Sequence, residues 1–163
     1  MIVGKHVTRF RLNNEMRMAA GFSTPLPEGR GEKLIGMKNN YPLGLYNGQF
    51  LEVRNVGASD GVSFEAEIVT EDGDEIEQTW IYRGHLDDHI VFDKGRADRD
   101  FFTRRGLVEL DWGYAITCHK AQGSGFENVV VVDDGFGHWD RRLRAQWLYT
   151  AITRAADILT ILA

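Results

Sequence analysis

The chain has 163 residues, 43% hydrophobic and 11% aromatic, enough for one ordinary core or for one domain carrying a small insertion. Its longest apolar run, Val129 to Val132, is far below the roughly 20 residues that cross a bilayer, and no charged-then-apolar leader opens it, so a soluble, unexported, cytoplasmic protein is expected. A single cysteine, Cys118, excludes an intramolecular disulfide framework.

The net charge of −5 argues against a nucleic-acid binder only until the acid is located. Seven carboxylates and no base lie between Glu65 and Glu77, which leaves 19 basic and 17 acidic residues in the rest of the chain. Basic residues gather at Lys5, Arg9, Arg11 and Arg17, at Arg104 and Arg105, and at Arg141, Arg142 and Arg144. Such patches suit phosphate contacts. Solvated surface charge is the simpler account of any one of them.

Three regions differ in pattern. In the first, HVTRFRLNNEMRMAA predicts a helix from about Thr8 to Ala20, stopped by Gly21 and by the proline and glycine cluster Ser23 to Gly31, which reads as a flexible surface loop. An apolar segment follows and ends in the turn signal Asn47-Gly48. The second region has period two. Val62, Phe64, Ala66 and Ile68 alternate with polar residues, Asp72-Gly73 supplies a hairpin turn, and Ile76, Gln78, Trp80 and Tyr82 alternate with Glu77, Thr79 and Ile81. With strands at Phe50 to Val56 and Ile90 to Phe92, a small antiparallel barrel or meander is expected, one face covered and one acidic.

In the third region Leu107 to Ile116 reads as strand, Thr117 to Gln122 as one helical turn, and the Val129 to Val132 run as a buried parallel strand. Leu143, Trp147, Leu148, Ala151, Ile152 and Ala155 form an apolar stripe on a helix from Arg141 to Ala156, with Asp140 as its N-cap. Ile158 to Leu162 then predicts a last buried strand. Strand, helix, strand is the order of a parallel α/β layer.

Two strings in this region bear chemistry. In YAITCHKAQGSGF (Tyr114 to Phe126), Thr117, His119, Lys120, Gln122 and Gly123 concentrate hydroxyl, imidazole, ammonium, amide and open backbone at one strand-to-helix exit, a common place for ligands. In WLYTAITRA (Trp147 to Ala155), Arg154 sits near the end of an apolar helix. A permanently charged, forked guanidinium there suits a phosphoryl oxygen, and is equally an ordinary helix C-terminal cation. Cys118 beside His119 makes a poor nucleophile-base pair, since adjacent helical residues do not face each other. His85 and His89 have metal-pair spacing but lack further ligands, so a surface turn is expected and no metal site. Trp112 and Tyr114 read either as base-stacking platforms or as buried strand residues.

The two strings resemble the fifth and sixth helicase motifs of superfamily 1 DNA helicases of the RecD and Dda type, in the UvrD-like C-terminal, second RecA-like domain. NNEMR (Asn13 to Arg17) resembles the segment after the fourth motif, and KNNYPLGLYNGQ (Lys38 to Gln49) the entry into an inserted SH3-like domain. The resemblance implies an α/β fold in which residues 1–40 and 106–163 build a discontinuous RecA-like domain, interrupted by an SH3-like β-barrel over residues 41–105. It implies that Arg154 is an arginine finger for the γ-phosphate of ATP, that Gln122 and Gly123 lie on the nucleotide side, and that Thr117 and His119, with Lys120, hold single-stranded DNA. Where such helicases commonly read QGSE this chain reads QGSG, so Gly125 puts a contact to the nucleotide sugar in doubt, with Glu127 the nearest substitute.

No GxxxxGK[ST] phosphate loop occurs in the sequence, so ATP and Mg2+ require a phosphate-loop domain outside it, and the chain alone is expected not to turn over ATP. The implied parent is an ATP-dependent DNA helicase like the α-subunit of exodeoxyribonuclease V, acting in repair, recombination or replication, with a possible nuclease partner. The alternative is a stand-alone degenerate module that binds single-stranded DNA or a protein without hydrolysing ATP.

Overall fold

The computed structural model describes residues 1–29, 31–87, 102–134 and 140–162. In chain order the elements are β1 (Ile2–Val3), α1 (His6–Ala19), β2 (Lys33–Gly36), a 3-10 turn (Tyr41–Leu43), β3 (Phe50–Ser59), β4 (Ser63–Thr70), β5 (Glu75–Tyr82), α2 (Gly84–Asp87), β6 (Leu110–Trp112), β7 (Ile116–Thr117), α3 (Cys118–Ala121), β8 (Phe126–Val132), α4 (Arg141–Ile152) and β9 (Ala155–Leu162). They form two compact units, Met1–Met16 with Tyr114–Ala163, and Arg17–Gly113. The fold is mixed α/β, a parallel sheet like that of a RecA-like domain in the first unit and an antiparallel sheet in the second. Among the described residues no helix is long and apolar enough to cross a membrane.

The parallel sheet has the order β7-β1-β8-β9. β1 is only two residues, yet it lies between β7 and β8 and both its residues are buried. Asn13 of α1 secures the neighbouring chain: its amide donates to Ala115 O at 2.9 Å and accepts from Ala115 N at 2.8 Å. Its own unit therefore satisfies both backbone groups of Ala115, a residue with no exposed surface. Asp140 caps α4 as expected, accepting from Leu143 N at 2.8 Å.

Two expectations for this unit fail. The helix ends at Ile152 rather than Ala156, so Ala155 belongs to β9 and leaves the apolar stripe, of which Trp147 and Ala151 are buried. Ile158 to Leu162 pairs with β8 as a parallel strand but is not buried: Ile158 is 56% exposed, Leu159 40%, Ile161 48% and Leu162 47%. An apolar run reports what a strand can bury, not whether anything covers it.

The antiparallel sheet runs β5-β4-β3-β2-β6. It closes. Val108, just ahead of β6, accepts from Tyr82 N and donates to Trp80 O, both at 2.9 Å, so the two ends of that order meet. Leu34, Val53, Phe64 and Ile81 are fully buried inside. The hairpin expected at Asp72-Gly73 is present, with Gly73 at φ +91°. Its second strand departs from strict alternation. Ala66 faces Thr79 and Ile68 faces Ile76, so Glu67 opposes both Glu77 and Gln78, a bulge with Gln78 at φ +44°. The extra residue inverts the parity beyond it: Thr79 and Ile81 are buried, and Trp80, expected on the covered face, is 41% exposed. The strand expected at Ile90 to Phe92 lies outside the described residues.

Leu107 to Ile116 is not one strand. It divides into β6 and β7 in different sheets, with Gly113 at the break. A Cβ on Gly113 would stand 2.8 Å from Leu34 O and 2.9 Å from Leu34 C, so the chain passes β2 too closely for any side chain.

Gly21 closes α1 at φ +94°, with Phe22 N on Arg17 O and Gly21 N on Met18 O, the paired bonds of a Schellman ending. The Ser23 to Gly31 segment beyond it, expected as a flexible loop, is tied down by a buried ion pair. Arg17 Nε donates to Glu32 Oε1 at 2.7 Å, and the guanidinium also donates to the carbonyls of Thr24 and Leu26. It lies 3.7 Å above the Trp112 ring. Glu32 is fully buried and its second oxygen accepts from Glu28 N. Arg17 therefore leaves the basic patch expected near the start of the chain, and so does Arg9, 7% exposed.

Candidate functional site

Arg154 occupies the turn between α4 and β9. Its Nη1 donates to Ser124 O at 3.1 Å and its Nη2 to Thr153 Oγ1 at 3.2 Å, while Nε is buried with no hydrogen-bond partner among the described residues. Phe126 N donates to Arg154 O at 2.8 Å, which fixes the turn against the start of β8. The structure thus brings Arg154 together with the loop that carries Gln122 and Gly123, both exposed, with Gly123 at φ +87°. Thr153 Oγ1 in turn donates to Thr150 O at 3.1 Å, linking the guanidinium to the last turn of α4. A guanidinium held by one carbonyl and one hydroxyl, with a buried N–H left over, can take an anionic oxygen without first breaking an ion pair.

Thr117 ends β7, and His119 and Lys120 lie on α3 just ahead of that loop. Thr117 is level with Val3 and, through β1, with Val132 at the last residue of β8. Arg154 adjoins Phe126, the first residue of β8, six positions lower, a rise of about 20 Å along the strand. α3 follows Thr117 directly, and Gln122 caps it with its N–H on His119 O at 3.4 Å, so the glycine loop leaves the same short helix. Thr117 is 8% exposed, its hydroxyl makes no capping bond to α3, and His119 is exposed. These residues stand at the carboxyl ends of parallel strands, where α/β sheets commonly bind ligands.

Cys118, His119 and Gln122 line a pocket with Leu143, Gln146 and Trp147 of α4. Burial pushes the Cys118 thiol above its usual range, with the Arg154 charge opposing, and Sγ donates to Trp147 O at 3.8 Å. A buried thiol with a raised pKa is a packing residue rather than a nucleophile.

Two cations at this end of the sheet are tied down, and one of them is paired, which composition alone did not disclose. Lys5 Nζ donates to Asp134 O at 2.6 Å and Lys5 N to Asp134 Oδ2 at 2.9 Å. Arg144 pairs with Asp133, whose hydrogen bond and charge raise the guanidinium's pKa, while Arg141 and Arg142 stay exposed. Asp133 follows the valine run directly, but nothing in periodicity pairs it with a helix eleven residues on.

Gly125 is exposed and a Cβ there would meet nothing within 4 Å. The space for a longer side chain is open, so the glycine answers no steric demand. Glu127, two residues on, is exposed too.

The remaining candidates separate cleanly. Trp112 is 1% exposed beneath Arg17 and donates from Nε1 to Leu86 O at 3.3 Å, so it offers no stacking face; Tyr114 is half-buried. His89 falls outside the described residues, and His85 bonds Glu109 Oε2 at 2.9 Å. Glu109 also pairs with Arg104 at 3.1 Å and Lys38 at 3.7 Å, and its carboxyl is held below the usual range first by the His85 hydrogen bond, then by those cations, against its burial. Among the described residues no group of three or more His, Cys, Asp or Glu could hold a metal ion.

Residues 113–162 match the family model of the UvrD-like helicase C-terminal domain. The uncharacterized protein MJ1519 of Methanocaldococcus jannaschii is 46% identical over 55 residues, 33% of this chain and 4% of that protein. The fold resembles Bacteroides Pif1 solved with ssDNA, with a TM-score of 0.58, 14% identity and coverage of 99% of this chain and 40% of that one. Pif1 helicase from Candida albicans gives a TM-score of 0.56, 14% identity, and coverage of 99% and 44%. The chain therefore spans less than half the length of the helicases whose fold it shares. Together these likenesses give a UvrD-like helicase C-terminal match over residues 113–162 and a fold like that of the Pif1 structures.

Proposed function

We propose that this chain supplies the second RecA-like half of an ATP-dependent, RecD-type DNA helicase, with residues 41–105 as an SH3-like insertion. The observation that carries the reading is Arg154: a guanidinium on the sixth-motif turn, beside the Gln122 to Ser124 loop, with a buried N–H unmatched. That orphan donor fits a phosphate oxygen. ATP, when bound, supplies a γ-phosphoryl group whose charge builds during transfer, and Arg154 is the residue here to stabilise it, with Gln122 and Gly123 on the same nucleotide side. The described residues offer no carboxylate cluster for Mg2+, which the missing phosphate-loop domain would have to hold. Thr117, His119 and Lys120 would contact the phosphates of single-stranded DNA. The two sets are joined by one helical turn, since Gln122 caps the helix that carries His119 and Lys120, which suits a device that couples the nucleotide to the strand. Two Bacteroides Pif1 structures were solved with ssDNA, one of them also with ADP-AlF3, which supports the same pairing of ligands here.

The test has two parts. The isolated chain should show no ATP turnover, and DNA-stimulated hydrolysis abolished by Arg154→Ala in this chain alone would overturn the half-site reading. It should bind single-stranded DNA with an affinity that falls as salt rises, and Thr117→Ala with His119→Ala should remove most of that binding. The second reading, a module that binds DNA or a protein without a motor, is favoured by Gly125. Joined to a phosphate-loop domain, Gly125→Glu should tighten nucleotide binding if a sugar contact was lost, and change nothing if the module has no nucleotide role.

A further inference from the structure

Lys38 to Gln49 carries two tyrosines, one lysine, three asparagines, one glutamine and no carboxylate. It is built as a fixed platform. Asn40 N and Leu45 O lie 2.8 Å apart and Leu45 N and Asn40 O 3.0 Å, while Gly36 exchanges backbone hydrogen bonds with Gln49 and Gly48, both at 2.9 Å. Leu45, 2% exposed, anchors the segment from below, and Gly36 must lack a side chain because a Cβ would strike the Tyr46 carbonyl. Side-chain amides lock the rest: Asn39 Oδ1 accepts from Asn47 N at 2.7 Å and Gln49 Oε1 from Tyr46 N at 3.0 Å.

On this frame two rings point outward. Tyr41 is 72% exposed and Tyr46 51%, in an edge contact with centroids 6.3 Å apart and planes at 74°. Asn39 Nδ2 donates to the Tyr41 hydroxyl at 3.0 Å, which orients a ring that burial does not hold. Lys38 beside them is 71% exposed along its side chain and pairs with Glu109 at 3.7 Å. Aromatic faces and side-chain amides are the chemistry that receives unstacked bases of a single strand; a sequence-tolerant π-face provides the energy and amides meet base edges. The acidic hairpin turn borders the platform, Glu71 N donating to Phe50 O at 3.1 Å, and bounds the surface a polyanion can cover.

We infer that Tyr41 and Tyr46 form a base-stacking site for single-stranded DNA, separate from the phosphate contacts assigned to Thr117 and His119. The inference rests on the DNA-binding half of the proposed function and adds to it a site that reads bases rather than phosphates. Oligothymidylate and an abasic oligonucleotide of equal length separate the two. The chain should bind oligothymidylate better than the abasic strand. Tyr41→Ala with Tyr46→Ala should weaken oligothymidylate binding about tenfold or more, leave the abasic affinity and the salt slope unchanged, and so abolish the preference. Tyr41→Phe with Tyr46→Phe should bind as the unmodified chain does, since the π-faces remain. Unchanged oligothymidylate binding in the double alanine variant overturns the inference, and is the result expected if the rings dock a protein instead. Equal loss on both oligonucleotides also overturns it, since that signals altered folding or phosphate contact. Loss of base preference in the tyrosine variant, with full binding in the Thr117→Ala, His119→Ala variant, supports the stacking site and sinks the phosphate track. No binding of either strand by the unmodified chain sinks both.

Discussion

The two units of this chain bury their apolar residues to very different degrees. In Arg17–Gly113 the antiparallel sheet closes on itself, and Leu34, Val53, Phe64 and Ile81 have no exposed surface. In the parallel sheet the central β1 and β8 hold Val3 and Val131 equally deep, yet β9 leaves four aliphatic side chains at 40–56% exposure. A closed sheet has no edge and no second face to cover, whereas an open parallel sheet completes its core only where helices lie on both faces. Substitutions of the same chemical kind should therefore have very different effects in the two units.

The largest effect is expected at the buried ion pair. Arg17→Ala leaves a fully buried Glu32 carboxylate without its cation and strips the support of the Ser23 to Gly31 segment, so urea unfolding should show a loss of about 3–5 kcal/mol. Replacing both partners, Arg17→Met with Glu32→Leu, should recover most of it, because the cost lies in the orphaned charge. Phe64→Ala should cost a similar amount, about 3–5 kcal/mol, through the cavity it leaves. Gly113→Ala should cost about 1–3 kcal/mol, since the Leu34 backbone would have to move. Ile161→Ala on β9 should change stability by less than about 0.5 kcal/mol. If Ile161→Ala proves as damaging as Phe64→Ala, the contrast between the two units fails.

The smallest effect concerns acid. The Glu109 carboxyl is held below its ordinary value of 4.5, first by the His85 hydrogen bond and then by Arg104 and Lys38. A depressed folded-state pKa means that its contribution is present above the ordinary value and is lost as pH falls through the lowered one. Glu109→Gln should lower stability at neutral pH and flatten the acid limb below about pH 4.5, measured as urea midpoints across pH. An acid limb identical to that of the unmodified chain would remove Glu109 from the account.

Sequence patterning located nearly every element but could not say what each one met. Period two found β4 and β5, yet a single extra residue at Glu77-Gln78 reversed the inward set beyond it, because parity survives only until a bulge. Charge clustering placed Arg17 with Arg9 and Arg11 as one patch, although Arg17 closes on Glu32, fifteen positions away. The same long-range blindness hid the pairs Lys5 with Asp134 and Arg144 with Asp133. The exposed aromatic pair escaped notice for the converse reason: Tyr41 and Tyr46 sit among turn residues, where no periodicity marks which rings face solvent.

The sequence by itself determined the strand, helix, strand order of the last third, the cap at Asp140, the turn at Gly73 and the presence of both helicase-like strings, since these depend on neighbours a few residues apart. Only the tertiary structure decided that Arg154 rests on Ser124 with one buried N–H unmatched, and that β9 stands uncovered. Those outcomes come from register and contact between segments distant along the chain, and local pattern carries no information about which distant residue arrives.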